Sequence, residues 1–182
     1  QRYGFKTTLL QNANRHQIMT ALNTIRNSLQ ENDNLLIYYA GHGERDKTSL
    51  AAYWLPTDAE IDNTANWISS DDITRYLNII AARHILVVAD SCYSGAMTGT
   101  AIARLPDGIP EDKREKWLKF MATRKARTVL TSGGVAPVLD EGDGQHSIFA
   151  RAFIDALQSN RALVEDYDIF RSVSKQVRTS AS

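Results

Sequence analysis

The 182-residue chain has one cysteine, Cys92, and four prolines. One cysteine makes no internal disulfide and no cysteine-rich zinc site, so the fold depends on neither. Charge of one sign is not in excess either: Lys plus Arg and Asp plus Glu are 21 each. A dedicated binder of nucleic acid or of an anionic membrane needs a basic surplus, so neither is an expected partner. Long hydrophobic runs are missing. None is longer than Leu35 to Ala40, which falls far short of the roughly 20 residues that cross a bilayer. Gln1 to Lys6 is polar, and no apolar stretch with a small-residue cleavage site follows it, so no signal peptide is recognisable. These absences lead to the expectation of a cytoplasmic protein.

What is present is enough apolar material, 43% of residues, for one globular core, and residues 1–182 read as a single domain. Strand-like apolar runs alternate with amphipathic stretches, which predicts an α/β sandwich. Strands are expected at Phe5 to Leu10, Leu35 to Ala40, His84 to Ala89 and Arg127 to Thr131. A short strand or hairpin arm is expected at Tyr53 to Leu55, inside an otherwise irregular acidic stretch from 44 to 69. Asn14, with Gln17 three residues on, predicts a capped helix that ends near Glu31 to Asn34. Ser70 is the expected cap of a second helix, which runs through Ile73, Leu77 and Ile80. A third covers Glu111 to Thr123 with Trp117, Leu118, Phe120 and Met121 inward. A fourth starts at His146 or Ser147, and a last one spans Tyr167 to Val177.

Three of the strands run into polar turns: Gly41-His42-Gly43, Asp90-Ser91-Cys92 and Ser132-Gly133-Gly134. In a parallel α/β sheet such turns gather at the carboxyl edge, where ligands bind. His42, Cys92 and Ser132 are therefore expected near one another. A free thiol is only a few per cent ionised at neutral pH, and an imidazole within reach takes its proton. A lone cysteine after an apolar strand is most often an inert small residue. Paired with a histidine at a second strand end, it becomes a candidate nucleophile. Backbone N–H groups of Gly43 and Cys92 are the candidate oxyanion donors.

The boxes Tyr38-Tyr39-Ala40-Gly41-His42-Gly43 and Asp90-Ser91-Cys92-Tyr93-Ser94-Gly95 resemble the His and Cys boxes of caspase-like cysteine peptidases. The likeness is to the metacaspase, paracaspase and bacterial caspase-homologue branch. A histidine about 50 residues before the cysteine is the spacing already known for caspases. Gly4-Phe5, Tyr53 to Asp58, Leu130 to Gly134 and Phe170 to Val173 are similar to that branch too.

The resemblance implies a three-layer sandwich, a mostly parallel central sheet with helices on both faces. It also implies a strand–helix unit ahead of Gly4-Phe5 that this sequence does not contain, and further domains of the same full-length protein. The implied activity is an endopeptidase with Cys92 as nucleophile and His42 as base and then acid. Asp90, two residues before the cysteine, would line the pocket for an Arg or Lys side chain at P1, the residue before the cleaved bond. A carboxylate in a partly desolvated pocket favours a guanidinium or ammonium. Relatives carry a second acidic residue where this chain has Ala136. Asp140 is the candidate substitute, and Ser132 a further pocket residue.

Residues 96–127 occupy the place of the inter-subunit linker of caspase relatives. Arg104 to Arg127 holds eight basic and four acidic residues, so self-cleavage after Arg104, Lys113, Arg114, Lys116 or Lys119 is an expectation. No cofactor or metal is expected. Calcium activation occurs among metacaspases, but the acidic stretch matches no EF-hand loop, and His16, His84 and His146 have no ligand spacing. Gly-x-Ser-x-Gly is absent, which argues against Ser132 as a serine nucleophile. A catalytically silent caspase-like scaffold and a different cysteine hydrolase are the alternatives.

Overall fold

The computed structural model describes residues 3–49, 51–91, 110–132, 146–162 and 164–180. Helix α1 (Arg15–Ser28) opens with the expected reciprocal cap. Asn14 Oδ1 accepts from the Gln17 amide, and Gln17 Oε1 accepts from the Asn14 amide, both at 2.9 Å. Leu29 already has extended backbone, so the helix stops shorter than its sequence pattern suggests. Strand β1 (Asn34–Ala40) follows, and then, after Gly41 alone, β2 (His42–Arg45).

β2, β3 (Ala52–Leu55) and β4 (Ile68–Ser69) form a small antiparallel sheet. It opposes His42 to Leu55 and Gly43 to Trp54. The stretch read as irregular is thus partly a hairpin, and Tyr53 to Leu55 lies in its second arm. Helix α2 (Ser70–Ile79) is capped by Ser69, one residue before the serine expected, through a 3.0 Å bond from the Asp72 amide.

Strand β5 (His84–Asp90) pairs in parallel with β1 and with β6 (Ala126–Thr131), giving the order β1-β5-β6. Between β5 and β6 lies α3 (Glu111–Met121); α4 (Ile148–Ser159) and α5 (Asp166–Ser180) complete the chain.

The alternation of β5 separates two cores, because successive strand side chains point to opposite faces. Ile85, Val87 and Ala89 pack with Leu22, Trp54, Ile68, Ile73 and Leu77 of α1, α2 and the small sheet. Val88 packs with Leu130 of β6, Phe149 and Phe153 of α4, and Val173 of α5. The expected three layers are present, with helices on both faces of a parallel sheet. In α3 Leu118 is buried, whereas Phe120, expected inward, is 58% exposed. It lies two positions from Leu118, off the face a helix buries at spacings of three and four.

Phe5 to Leu10 is the main departure from expectation: it forms no strand. A strand needs a neighbour for its N–H and C=O groups, and among the described residues β1 is paired on one side only, with β5. Phe5, Leu9 and Leu10 remain exposed. A groove of about 630 Å³ runs between residues 8–13, α1 and the open side of β1, reaching Gly41 and His42. No described helix is long and apolar enough to cross a membrane.

Candidate active site

The site is assembled by the carboxyl ends of three parallel strands. Register places Ala40 of β1 opposite Asp90 of β5, and the Gly41 amide donates to the Asp90 carbonyl at 3.4 Å. From β6, the Ser132 amide donates to the Ala89 carbonyl at 3.0 Å. Its hydroxyl donates to the Ser91 carbonyl at 3.4 Å. His42, Asp90, Ser91 and Ser132 therefore share one edge, as the parallel-sheet pattern requires. Cys92 and Asp140 lie outside the described residues. Ser91, covalently joined to Cys92, is buried with 5% exposure.

His42 is exposed and begins β2. Its backbone is held from below. The Tyr39 hydroxyl donates to the His42 carbonyl at 2.7 Å and to the Leu55 carbonyl at 3.3 Å. The Tyr39 ring stacks on Trp54, centroids 4.2 Å apart and planes within 6°. Burial pushes the Tyr39 phenol up to about 12, against the lowering effect of the Leu55 bond. It therefore stays protonated and donating at any ordinary pH. Gly41 has a definite steric role here, because a Cβ at this position would lie 2.8 Å from the Tyr39 oxygen. Gly43 is buried on β2 opposite Trp54, with its backbone beside the histidine.

Asp90 is partly buried and carries two hydroxyl donors. Tyr38 Oη bonds its Oδ2 at 3.0 Å and Ser147 Oγ bonds the same oxygen at 2.5 Å. Ser147 is the N-cap of α4, accepting from the Ala150 amide at 2.9 Å. The amino end of α4 is thus tied directly to the carboxylate. Tyr38, whose ring packs 6.2 Å from that of Phe153, has its phenol raised above the ordinary range. Burial is the main cause, and the Asp90 charge and hydrogen bond add to it.

Neither Tyr38 nor Ser147 was singled out as a site residue by sequence reasoning. Only the register between β1 and β5, and the packing of α4 behind them, brings these groups to Asp90.

The acidic stretch is occupied with its own turns. Asp46 accepts from the amides of Thr48 and Ser49 at 3.0 and 2.6 Å, which holds its carboxyl below the usual range. Asp58 accepts from the Arg15 amide at 2.9 Å. Among the described residues no three His, Cys, Asp or Glu side chains cluster as a metal site. His84, at the start of β5, shares a 2.9 Å hydrogen bond with Asn34, at the start of β1.

A three-layer α/β protein with a histidine and a carboxylate at the carboxyl edge of its parallel sheet, and a cysteine next in sequence to Ser91 at that edge, is the class that fold and site define. The chain belongs to the caspase-domain family of cysteine peptidases, whose sequence model matches residues 1–182. The comparison with curated sequences found no match. Among solved structures, a Geobacter sulfurreducens protein is similar at 17% identity with a TM-score of 0.64. The match covers 96% of this chain and 74% of that one, a likeness of fold.

Proposed function

We propose that the chain is a cysteine endopeptidase that cleaves protein or peptide substrates after Arg or Lys. Cys92, deprotonated by His42, attacks the carbonyl carbon of the P1 residue. The resulting oxyanion takes hydrogen bonds from the Gly43 and Cys92 amides. On collapse the C–N bond breaks, and His42 hands its proton to the leaving amine. A water deprotonated by His42 then hydrolyses the thioester and restores the thiol.

One observation carries this reading. The Gly41–Asp90 backbone bond joins the residue before His42 to the end of β5, whose chain continues through Ser91 into Cys92. Family membership adds the expectation of thiol chemistry there. Asp90 supports a cationic P1, since its carboxylate stands at the same edge with only hydroxyl groups bonded to it among the described residues. Ser132 and Asp140 remain candidate pocket residues. The reading takes the protein as cytoplasmic, with no metal or nucleic acid required, and leaves calcium as a condition to vary.

The test is hydrolysis of fluorogenic peptides with Arg, Lys, Asp or Gln at P1, by wild type, Cys92→Ala and His42→Ala, with and without calcium. Turnover of the Arg and Lys peptides is expected, abolished by Cys92→Ala. His42→Ala should lower it by about 10²–10⁴-fold, the usual worth of general acid–base catalysis. No Cys92-dependent turnover under any condition overturns the peptidase reading in favour of a silent scaffold. Preference for Asp at P1 overturns the role of Asp90.

A further inference from the structure

Tyr38 and Ser147 converge on one oxygen of Asp90, and the direction of that convergence carries a consequence for specificity. Both donors use Oδ2, at 3.0 and 2.5 Å. Among the described residues none bonds Oδ1. A carboxylate held by two donors on one oxygen is fixed in rotation and keeps the lone pairs of the other for a ligand. Neither donor is itself loose. Tyr38 stands on β1 with its ring against Phe153, and Ser147 is locked by the Ala150 amide as the cap of α4.

We propose that Tyr38 and Ser147 are positioning residues for recognition of a cationic P1 side chain: they clamp Oδ2 of Asp90 so that Oδ1 meets a guanidinium or ammonium. This deepens the peptidase reading and rests on it for the substrate class. Without the clamp, the carboxylate would rotate among several orientations. Binding a cation would then cost the entropy of fixing it. The clamp also gives α4 a direct tie to the pocket, so a shift of the α4 N-terminus would alter P1 selectivity without touching the thiol.

The test uses the 182-residue chain with one substitution at Tyr38 and two at Ser147. Tyr38→Phe keeps the ring and removes the donor; Ser147→Ala removes donor and cap, and Ser147→Thr keeps both. The first readout needs no catalysis: benzamidine, a guanidinium-like probe, is titrated while the Asp90 carboxyl carbon is followed by NMR. Benzamidine is expected to shift that signal in wild type. Tyr38→Phe and Ser147→Ala should bind it about five- to tenfold more weakly, a fraction of the worth of a hydrogen bond to a charged group, and Ser147→Thr should restore binding.

The second readout is steady-state hydrolysis of P1-Arg against P1-citrulline peptides, citrulline being the neutral near-isostere. The loss should fall on KM for Arg, narrowing the Arg-to-citrulline ratio. A purely structural role would instead lower the melting temperature and reduce both substrates alike. Benzamidine affinity and the Arg-to-citrulline ratio left unchanged by both Tyr38→Phe and Ser147→Ala overturn the proposal, as does wild type that fails to bind benzamidine at Asp90. A chain that binds benzamidine in this variant-dependent way yet hydrolyses no peptide upholds the clamp and sinks the peptidase reading instead.

Discussion

The hydroxyl of Tyr39 lies 2.7 Å from the backbone carbonyl of His42, three residues further along the chain. The ring that carries it fills the space that a side chain on Gly41 would take. A Cβ there would stand 2.8 Å from Oη and 2.9 Å from Cζ. The phenol is not the free end of a flexible chain, because it also bonds the Leu55 carbonyl and its ring is stacked on Trp54.

Gly41→Ala should therefore push the tyrosine off its two carbonyls and shift the histidine turn. Overpacking of this kind costs about 1–3 kcal/mol, and a displacement of about 1 Å at a catalytic group can cost about 10² in rate. Urea denaturation and peptide turnover measured on the same preparation check both. A variant as stable and as fast as wild type would mean that Tyr39 does not set the position of His42.

Tyr39 also predicts a pH dependence. Its phenol ionises near 10 in the unfolded chain and at about 12 when folded, chiefly because it is buried. Below pH 10 both states hold the proton and the contribution is complete. As pH rises from about 10 to about 12 the unfolded state releases its proton first, so stability falls. Tyr38, raised for similar reasons, acts in the same direction. Denaturation curves at about pH 9 and about pH 11 should show the loss, and Tyr39→Phe should reduce it. A slope unchanged by that substitution would count against the assignment.

Arg127, at the start of β6, offers a third test. Its guanidinium donates to the carbonyls of Leu77, Ile80, Arg83 and Ala126 at 2.9 to 3.1 Å. Two of these close α2, whose last carbonyls have no partner within the helix. Burial lowers the affinity of the guanidinium for its proton, yet its ordinary value is so high that it stays charged. Arg127→Lys replaces a planar fork by a point donor and should destabilise the fold by about 1–3 kcal/mol, with Arg127→Met at or above the top of that range. Thermal unfolding measures it. Amide exchange at the end of α2 should accelerate in both variants.

A fourth prediction concerns self-cleavage, conditional on the proposed specificity. Lys113, Arg114, Lys116 and Lys119 all lie inside α3. Arg114 is paired with Asp168, and Lys119 with Glu115 at 2.7 Å. A protease cleft takes extended backbone, so a helix must unfold locally before it is cut. Arg104, outside the described residues and before α3, is the favoured site. Mass spectrometry of aged protein should show a new carboxyl terminus at Arg104, lost in Arg104→Gln and in Cys92→Ala. Fragments ending only within 111–121 would contradict it.

Much of this was legible in sequence because it is local. Asn14 and Gln17 announce the start of α1, since a reciprocal cap involves only neighbours three residues apart. The apolar runs of β1 and β5 are visible as continuous hydrophobic stretches, and β5, covered on both faces, has no polar side to show. Ser69 and Ser70 are adjacent serines, and only backbone geometry distinguishes the cap from the first helical residue. Phe5 to Leu10 has a strand's composition, but composition cannot supply the neighbouring strand that its hydrogen bonds require.

The amino-acid sequence by itself determined the type of chemistry available: one thiol, one histidine between glycines, each at the end of an apolar run, and an aspartate two residues before the thiol. The tertiary structure decided which groups meet. It put β5 between β1 and β6 and set Ala40 opposite Asp90. It sent Tyr38 and Tyr39, adjacent in the chain, to opposite faces and different tasks, one bonding Asp90 and the other the His42 carbonyl. The reason is that strand adjacency and register depend on burying both faces of the sheet at once. That is a property of all the layers together, which no local window of sequence contains.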